Sequence, residues 1–196
     1  MIRYRNWTSN TLTEEDFGIY WKYIIEILFR GSPVILKRGE SCSTSTRVER
    51  QVNELEYGAS IKSVYGRKID LLFVAPIVND ALQEELIELG ALEIKPAPVS
   101  ESVEVIQLNK NIRVNKSILH DIHSHAGNCS TGNLHVLGID IVGLSAYIYE
   151  VKQFKDIAIA CKASEENIFL PGDEDDFEDF VFADSLDQLL NYMIIM

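Results

Sequence analysis

Two apolar runs that carry charge constrain this chain more than any other feature. Gly66-Arg67-Lys68-Ile69-Asp70-Leu71-Leu72-Phe73 holds one carboxylate, and Gly90-Ala91-Leu92-Glu93-Ile94-Lys95-Pro96 holds a Glu and a Lys two positions apart. In a strand, side chains i and i+2 leave the same face, so Glu93 and Lys95 point together while Leu92 and Ile94 enter the core. Charges at the edge of a core are costly unless they are paired or bind an ion. An Asp that meets a Glu and a Lys from a neighbouring strand therefore predicts a site for a hard, oxygen-loving metal.

The surrounding pattern is that of an α/β protein. Glu14 to Arg30 reads as a helix apolar over most of its surface, with Thr13 as N-cap and Gly31, Ser32 and Pro33 as its stop. Thr44 to Tyr57 suits a second helix ending at Gly58. Ser60 to Val64, a turn at Tyr65-Gly66, and Lys68 to Ala75 read as a β-hairpin. Glu84 to Leu89 is ambiguous and is open to being an extension of the strand Leu89 to Ile94. Ser102 to Ile122 places Val105, Leu108, Ile112, Ile118, Leu119 and Ile122 at helical spacing opposite Gln107, Lys110, Arg113 and Lys116, an amphipathic helix with a basic side. Gly127 to Asn133 reads as a polar loop. Strands are predicted at Val136 to Val142, Ser145 to Val151 and Ile157 to Lys162, with a closing helix over Ser185 to Ile195.

The chain has 196 residues, 46% of them hydrophobic and 24% charged, which suits one domain with a full core. Its apolar stretches are broken by charge before the roughly 20 residues that a membrane span needs. The start, Met1-Ile2-Arg3-Tyr4-Arg5-Asn6-Trp7, lacks the apolar stretch of a signal peptide. Cys42, Cys129 and Cys161 form no Cys-x-x-Cys pair. A soluble, intracellular protein, cytoplasmic or nuclear, with no membrane partner is the expectation.

The net charge of -12 speaks against a partner with a phosphate backbone, but its distribution softens the objection. Eight acids and no Lys or Arg fall between Leu170 and Met196, which leaves residues 1–169 with 22 acids against 18 bases. The run from Gly172 to Phe180 is expected to be a solvated loop. Its other readings are mimicry of nucleic acid and docking to a basic protein.

The order helix, hairpin, strand, helix, strand, or α-β-β-β-α-β, resembles the PD-(D/E)xK nuclease superfamily, the restriction-endonuclease-like fold, over about residues 40 to 142. The resemblance implies a mixed sheet flanked by helices as the core of residues 39–142, with an N-terminal helical extension over 1–38 and C-terminal strands, acidic loop and helix over 143–196. It implies a Mg²⁺- or Mn²⁺-dependent nuclease acting on DNA or RNA. In that family a first-helix Glu, a second-strand Asp and a third-strand Glu-x-Lys hold the metal, and a Gln or Lys on the next helix often joins them. Carried over, Glu40, Asp70 and Glu93 are the metal ligands, Asp70, Glu93 and Lys95 are catalytic with Gln107 or Lys110, and Lys110, Arg113 and Lys116 hold nucleic acid. Ile69 stands where the family pattern has Pro. The stretch Asn109 to Leu119 with a Gly-Arg-Lys-x-Asp strand is also similar to uncharacterised fungal proteins. Many such folds pair as homodimers to cut two strands.

Two competing readings come from other classes. The fold can serve as a catalytically inactive interaction module, in keeping with the acidic charge. Alternatively, His120, His123, His125 and His135, with Cys129 among them, supply ligand types suited to zinc in a regulatory protein, although their spacing matches no closed Cys/His pattern. Glu-x-Lys also recurs as Glu150-Val151-Lys152, ten residues after Asp140, without a preceding hairpin or a following basic helix.

Overall fold

A computed structural model describes residues 12–57, 66–78, 82–126, 134–155 and 157–195, with the side chains of 38–41 outside that description. Its elements are α1 (Glu14–Leu28), β1 (Ile35–Cys42), α2 (Thr44–Tyr57), β2 (Lys68–Val78), β3 (Glu84–Lys95), α3 (Glu101–Ala126), β4 (His135–Val142), β5 (Ser145–Phe154), β6 (Ile157–Lys162), β7 (Ile168–Phe169), α4 (Asp176–Phe182) and α5 (Asp184–Ile195). The strands form one mixed sheet in the order β1-β2-β3-β4-β5-β6, with β7 also on β5. All pairings are antiparallel except β3 with β4. That parallel step is the one that needs a long crossover, and α3 supplies it.

Alternation along the strands divides the core in two. Leu71, Phe73, Leu92, Ile94, Leu137, Ile139 and Ile141 face one side, where Phe17, Trp21 and Ile25 of α1 and Leu189 and Tyr192 of α5 pack on them. Leu72, Val74, Ala91, Val136, Tyr149 and Val151 face the other, under Val114, Ile118 and Leu119 of α3. Cover on both faces explains why β2, β3 and β4 read as nearly unbroken apolar runs. The helix expected as an N-terminal extension is thus one of the layers over the sheet.

Local chemistry starts α1 where it does. Thr13 and Asp16 form a reciprocal capping box, and Glu14, Glu15 and Asp16 place negative charge at the positive end of the helix dipole. Phe17, Trp21 and Ile25, spaced by four, form its buried stripe, and the Trp21 indole N–H donates to the Gly143 carbonyl at 2.8 Å. The N-terminus of α2 is capped from a distance. Glu88, buried on β3, accepts the Thr44 N–H at 2.6 Å and the Ser43 and Ser45 hydroxyls at 2.8 and 2.7 Å.

Several expectations change. Position 40 lies in β1, not at a helix, and the partner of β2 on that side is β1. Residues 58–65, the other half of the expected hairpin, and the expected loop 127–133 lie outside the described residues, as does Cys129. Glu84 to Lys95 is one continuous strand. Part of the acidic run is helical, because Phe177 and Phe180 give α4 an apolar side on which their rings meet at 6.4 Å. No helix among the described residues is long and apolar enough to cross a membrane.

Candidate functional site

The sheet splits at the charged runs. Backbone pairing between β2 and β3 ends at Leu71 and Leu92, while β2 continues along β1 through Ile69 and Lys68, and β3 continues along β4 through Lys95. At the split, Asp70 Oδ2 accepts the Ile94 N–H at 2.8 Å, so a side chain takes the place of a strand carbonyl. The half-buried Asp70 carboxylate opens on a cavity of about 460 Å³ walled by Glu14, Gly18 and Lys22 of α1 and by Leu71 and Ile94.

Glu93 and Lys95 lie one strand over. Glu93 is only 1% exposed, and Lys110 of α3 straddles it at 2.7 Å from Oε1 and 2.8 Å from Oε2. The hydrogen bond is directed at Oε2, which leaves Oε1 ion-paired but without an aligned donor. Burial pushes the Glu93 carboxyl up to about 7; the hydrogen bond from Lys110 opposes this, and the Asp70 charge adds to it. Asp70 and Glu93 therefore feel each other across the split. Lys95 donates to Glu14 Oε2 at 2.8 Å and to its neighbour's carbonyl, Ile94 O, at 2.9 Å. The first-helix carboxylate at this point is Glu14. Glu40 was expected in that role, but β1 carries position 40, and its side chain is not described.

Behind Glu93 runs a buried polar ladder. Asp140 on β4 stands in register with Glu93 and is buried. Gln107 Nε2 donates to Asp140 Oδ1 at 3.1 Å, to Ile141 O at 3.2 Å and to Glu93 O at 3.3 Å. Asn111 Nδ2 donates to Asp140 Oδ1 at 3.0 Å and to Ile139 O at 2.8 Å. Asn115 takes the Ala91 N–H at 2.8 Å and donates to the Tyr149 hydroxyl at 2.7 Å. Burial raises the Asp140 pKa, against hydrogen bonds from Gln107, Asn111 and Tyr147. Gln107 had been placed on the solvated side of α3. Instead Gln107, Asn111 and Asn115, spaced by four, form the polar part of its buried face, while Val105 and Ile106 are exposed. Asp140 was noted only beside the rival Glu150-Val151-Lys152, and Asn111 and Asn115 were not anticipated as site residues. Their signal is the four-residue spacing itself, in line with the apolar Val114 and Ile118.

Arg113 and Lys116 are exposed on α3, away from the split, and Lys116 sits 3.6 Å from Glu49. The repeated Glu-x-Lys does not join Asp140. Glu150 pairs with Lys152 at 2.8 Å and lies 3.7 Å from His135. The histidines are dispersed: His125 Nε2 is 2.9 Å from Glu85 Oε1, and His120 lines a groove between α2 and α3.

Among the described residues, no group of three or more His, Cys, Asp or Glu side chains is arranged to share a metal ion. Near the split the oxygen donors are of another composition: the carboxylates of Asp70 and Glu93 and the backbone oxygen of Ile94, which accepts from Lys95. Glu93 Oε1 and Gln107 Oε1, both buried, lack an aligned donor. Mg²⁺ typically keeps several waters and takes one or two carboxylates plus phosphate oxygens from the substrate; of the two acids, Asp70 is the one that lines the cavity. No protein-family profile, curated protein or solved structure matches the chain.

Proposed function

We propose that the chain is a Mg²⁺- or Mn²⁺-dependent nuclease with a restriction-endonuclease-like core, in which α1, β1, β2, β3, α3 and β4 supply the order α-β-β-β-α-β with α2 inserted between β1 and β2, so that α1, expected as an extension, takes the place expected for the 44–57 helix. The observation that carries this reading is the split of the sheet at Asp70 and Ile94, where the Asp70 carboxylate opens on a cavity under the N-terminus of α1 and lies near enough to the buried Glu93–Lys110 pair for its charge to act on Glu93.

In this reading Asp70 and Glu93 hold the cation, with Glu14 in the first-helix role given earlier to Glu40. When bound, the ion supplies Lewis-acid polarisation of a phosphoryl oxygen and a water of lowered pKa. Lys95 uses two of its three donors on Glu14 and Ile94 O, so the third is available to a phosphate oxygen as negative charge builds on it. Lys110 offsets the charge of Glu93 while the site is empty of substrate. Gln107 and Asn111 fix Asp140 and, through the Glu93 carbonyl, the end of β3.

The test is cleavage of end-labelled single- and double-stranded DNA and RNA with Mg²⁺ or Mn²⁺, against EDTA. Wild type is expected to cut, and Asp70→Asn, Glu93→Gln and Lys95→Ala to lose on the order of 100-fold or more. Asn at position 70 keeps an oxygen for the Ile94 N–H, so lost activity there is not lost fold. Equal cutting by wild type and Asp70→Asn overturns the site assignment. A second reading rests on the internal ion pairs, Lys95 with Glu14 and Lys110 with Glu93. These satisfy the charged groups without a ligand, as an inactive interaction module would. Binding of nucleic acid without cleavage under any of these conditions favours that reading.

A further inference from the structure

The two rims of the sheet differ. Among the described residues β1 ends the sheet on one side and β6 on the other, with β7 following β6 along β5. An edge strand offers unpaired N–H and C=O groups to another strand, and charge, proline and bulges are the usual protection. β1 is protected in this way: it carries Lys37, Arg38 and Glu40, and its register on β2 shifts between Arg38 and Ser41. β6 is not. Its pairing with β5 runs from Phe154 with Ile157 to Tyr149 with Lys162 without a shift, and Ile157-Ala158-Ile159-Ala160-Cys161 holds no charge and no proline.

The side chains make the same distinction. Ala158 and Ala160 pack on the α3 side of the sheet. Ile157, Ile159 and Cys161 alternate to the other face, where neither isoleucine joins the core under α1 and α5. Phe154 of β5 stands opposite Ile157, and the three apolar side chains Phe154, Ile157 and Ile159 are 57, 59 and 39% exposed. Cys161 is exposed beside them, and the Glu150–Lys152 ion pair of β5 borders the patch.

This edge matches its own reverse. An antiparallel copy centred on Ile159 sets that residue against its twin, Ile157 against Cys161 and Ala158 against Ala160, so no charge meets a like charge and each face pairs apolar with apolar. A chain of net charge -12 repels its copies, and contact is least opposed where the strand brings no acid. Two such edges occupy each other and leave the protected β1 rims outside, so the pairing closes at two chains and does not propagate.

We propose that β6 is the interface of a homodimer, in which two copies pair antiparallel about a two-fold axis at Ile159 and their sheets join into one. The interface draws on no residue of the split, so it stands or falls separately from the nuclease reading.

The experiment is sedimentation of the full chain over about 1–200 µM at about 0.15 M salt, where mass action should carry wild type from monomer to dimer. Ile159→Lys sets two ammonium groups against each other at the axis and is expected to weaken the dimer about tenfold or more, whereas Ile35→Lys on the β1 rim should leave it unchanged. Thermal melts report whether each variant is folded. A second arm needs no disruptive change. Opposed Cα atoms of antiparallel neighbours lie about 4.5–5.5 Å apart, within disulfide reach. Ile157→Cys, in a chain that also carries Cys42→Ser and Cys129→Ser, should therefore bond to the partner subunit's Cys161 on air oxidation with copper phenanthroline and run as a covalent dimer on a non-reducing gel. Wild type that stays monomeric at the highest concentration overturns the proposal, and the edge is then left to a strand of another protein. A dimer that folded Ile159→Lys leaves intact, or one that yields no cross-link, overturns the β6 pairing, and open-ended oligomers overturn the closure.

Discussion

Lys110 reaches Glu93 at 2.7 Å, and the carboxylate it meets is 1% exposed while the ammonium is 37% exposed. The pair is therefore asymmetric: the lysine could return to water, and the glutamate could not. Removing the lysine leaves a buried charge that is uncompensated or must take up a proton. Lys110→Met is expected to cost about 2 kcal/mol at pH 8 and less at pH 5.5, where Glu93 is neutral. Glu93→Gln should be close to neutral for stability and abolish cleavage. Urea titrations of both variants at the two pH values check this.

Glu93 also sets a pH dependence. Its folded pKa, about 7, lies above the ordinary value of 4.5, so between those values the folded chain holds a proton that the unfolded chain has released. Stability from this group is complete below about pH 4.5 and is lost as pH rises through 7. Asp140, also raised by burial, acts in the same direction. The metal-free protein is expected to lose on the order of 3 kcal/mol across this window. Added Mg²⁺ should raise Tm more at pH 8 than at pH 5.5, because a cation competes with the proton for the same oxygen. Melting curves with and without Mg²⁺ at the two pH values test it; an equal effect of Mg²⁺ at both would remove Glu93 from the ligand set.

What could be read from sequence was what local chemistry decides. The capped start of α1 follows from Thr13 and Asp16. The opposed directions of Leu92 and Glu93 follow from the two-residue period. What could not be read depends on distant partners. Glu40 was expected at the first helix, whereas β1 runs through it, with a register shift against β2 between Arg38 and Ser41. Polar side chains on a helix are ordinarily assigned to solvent, so Gln107 was turned outward, although Asp140 and the strand carbonyls satisfy it inside. The acidity of the run after Gly172 hid the spacing of Phe177 and Phe180 that makes α4.

Glu14 carries a prediction that separates function from stability. Its ion pair with Lys95 is 45% exposed on the glutamate side, a class of contact worth under about 1 kcal/mol, and its place in the first turn of α1 adds little more. Glu14→Gln is therefore expected to shift Tm by only a few degrees while cleavage falls about tenfold or more, because Lys95 loses the acceptor that directs it. Steady-state cleavage beside calorimetry measures both. If Glu40→Gln stops cleavage and Glu14→Gln does not, the first-helix role returns to position 40.

The polar ladder is testable at a residue that makes none of its hydrogen bonds. Gly138 on β4 lies beneath the contact between Asn115 and Tyr149, and a Cβ there would overlap the Tyr149 ring and hydroxyl and the Asn115 amide. Its backbone is ordinary strand, so the glycine is required by space and not by conformation. Gly138→Ala must push Tyr149 or Asn115 aside, and either shift breaks the bond between them and loosens the Asn115 bonds to Ala91 on β3. The expected cost is about 2–3 kcal/mol from overpacking and the strained ladder. A double-mutant cycle with Tyr149→Phe isolates the cause. Deleting the hydroxyl removes one of the overlapping atoms, so Gly138→Ala should cost measurably less in that background, and strictly additive losses would mean that the glycine is not there for the ladder.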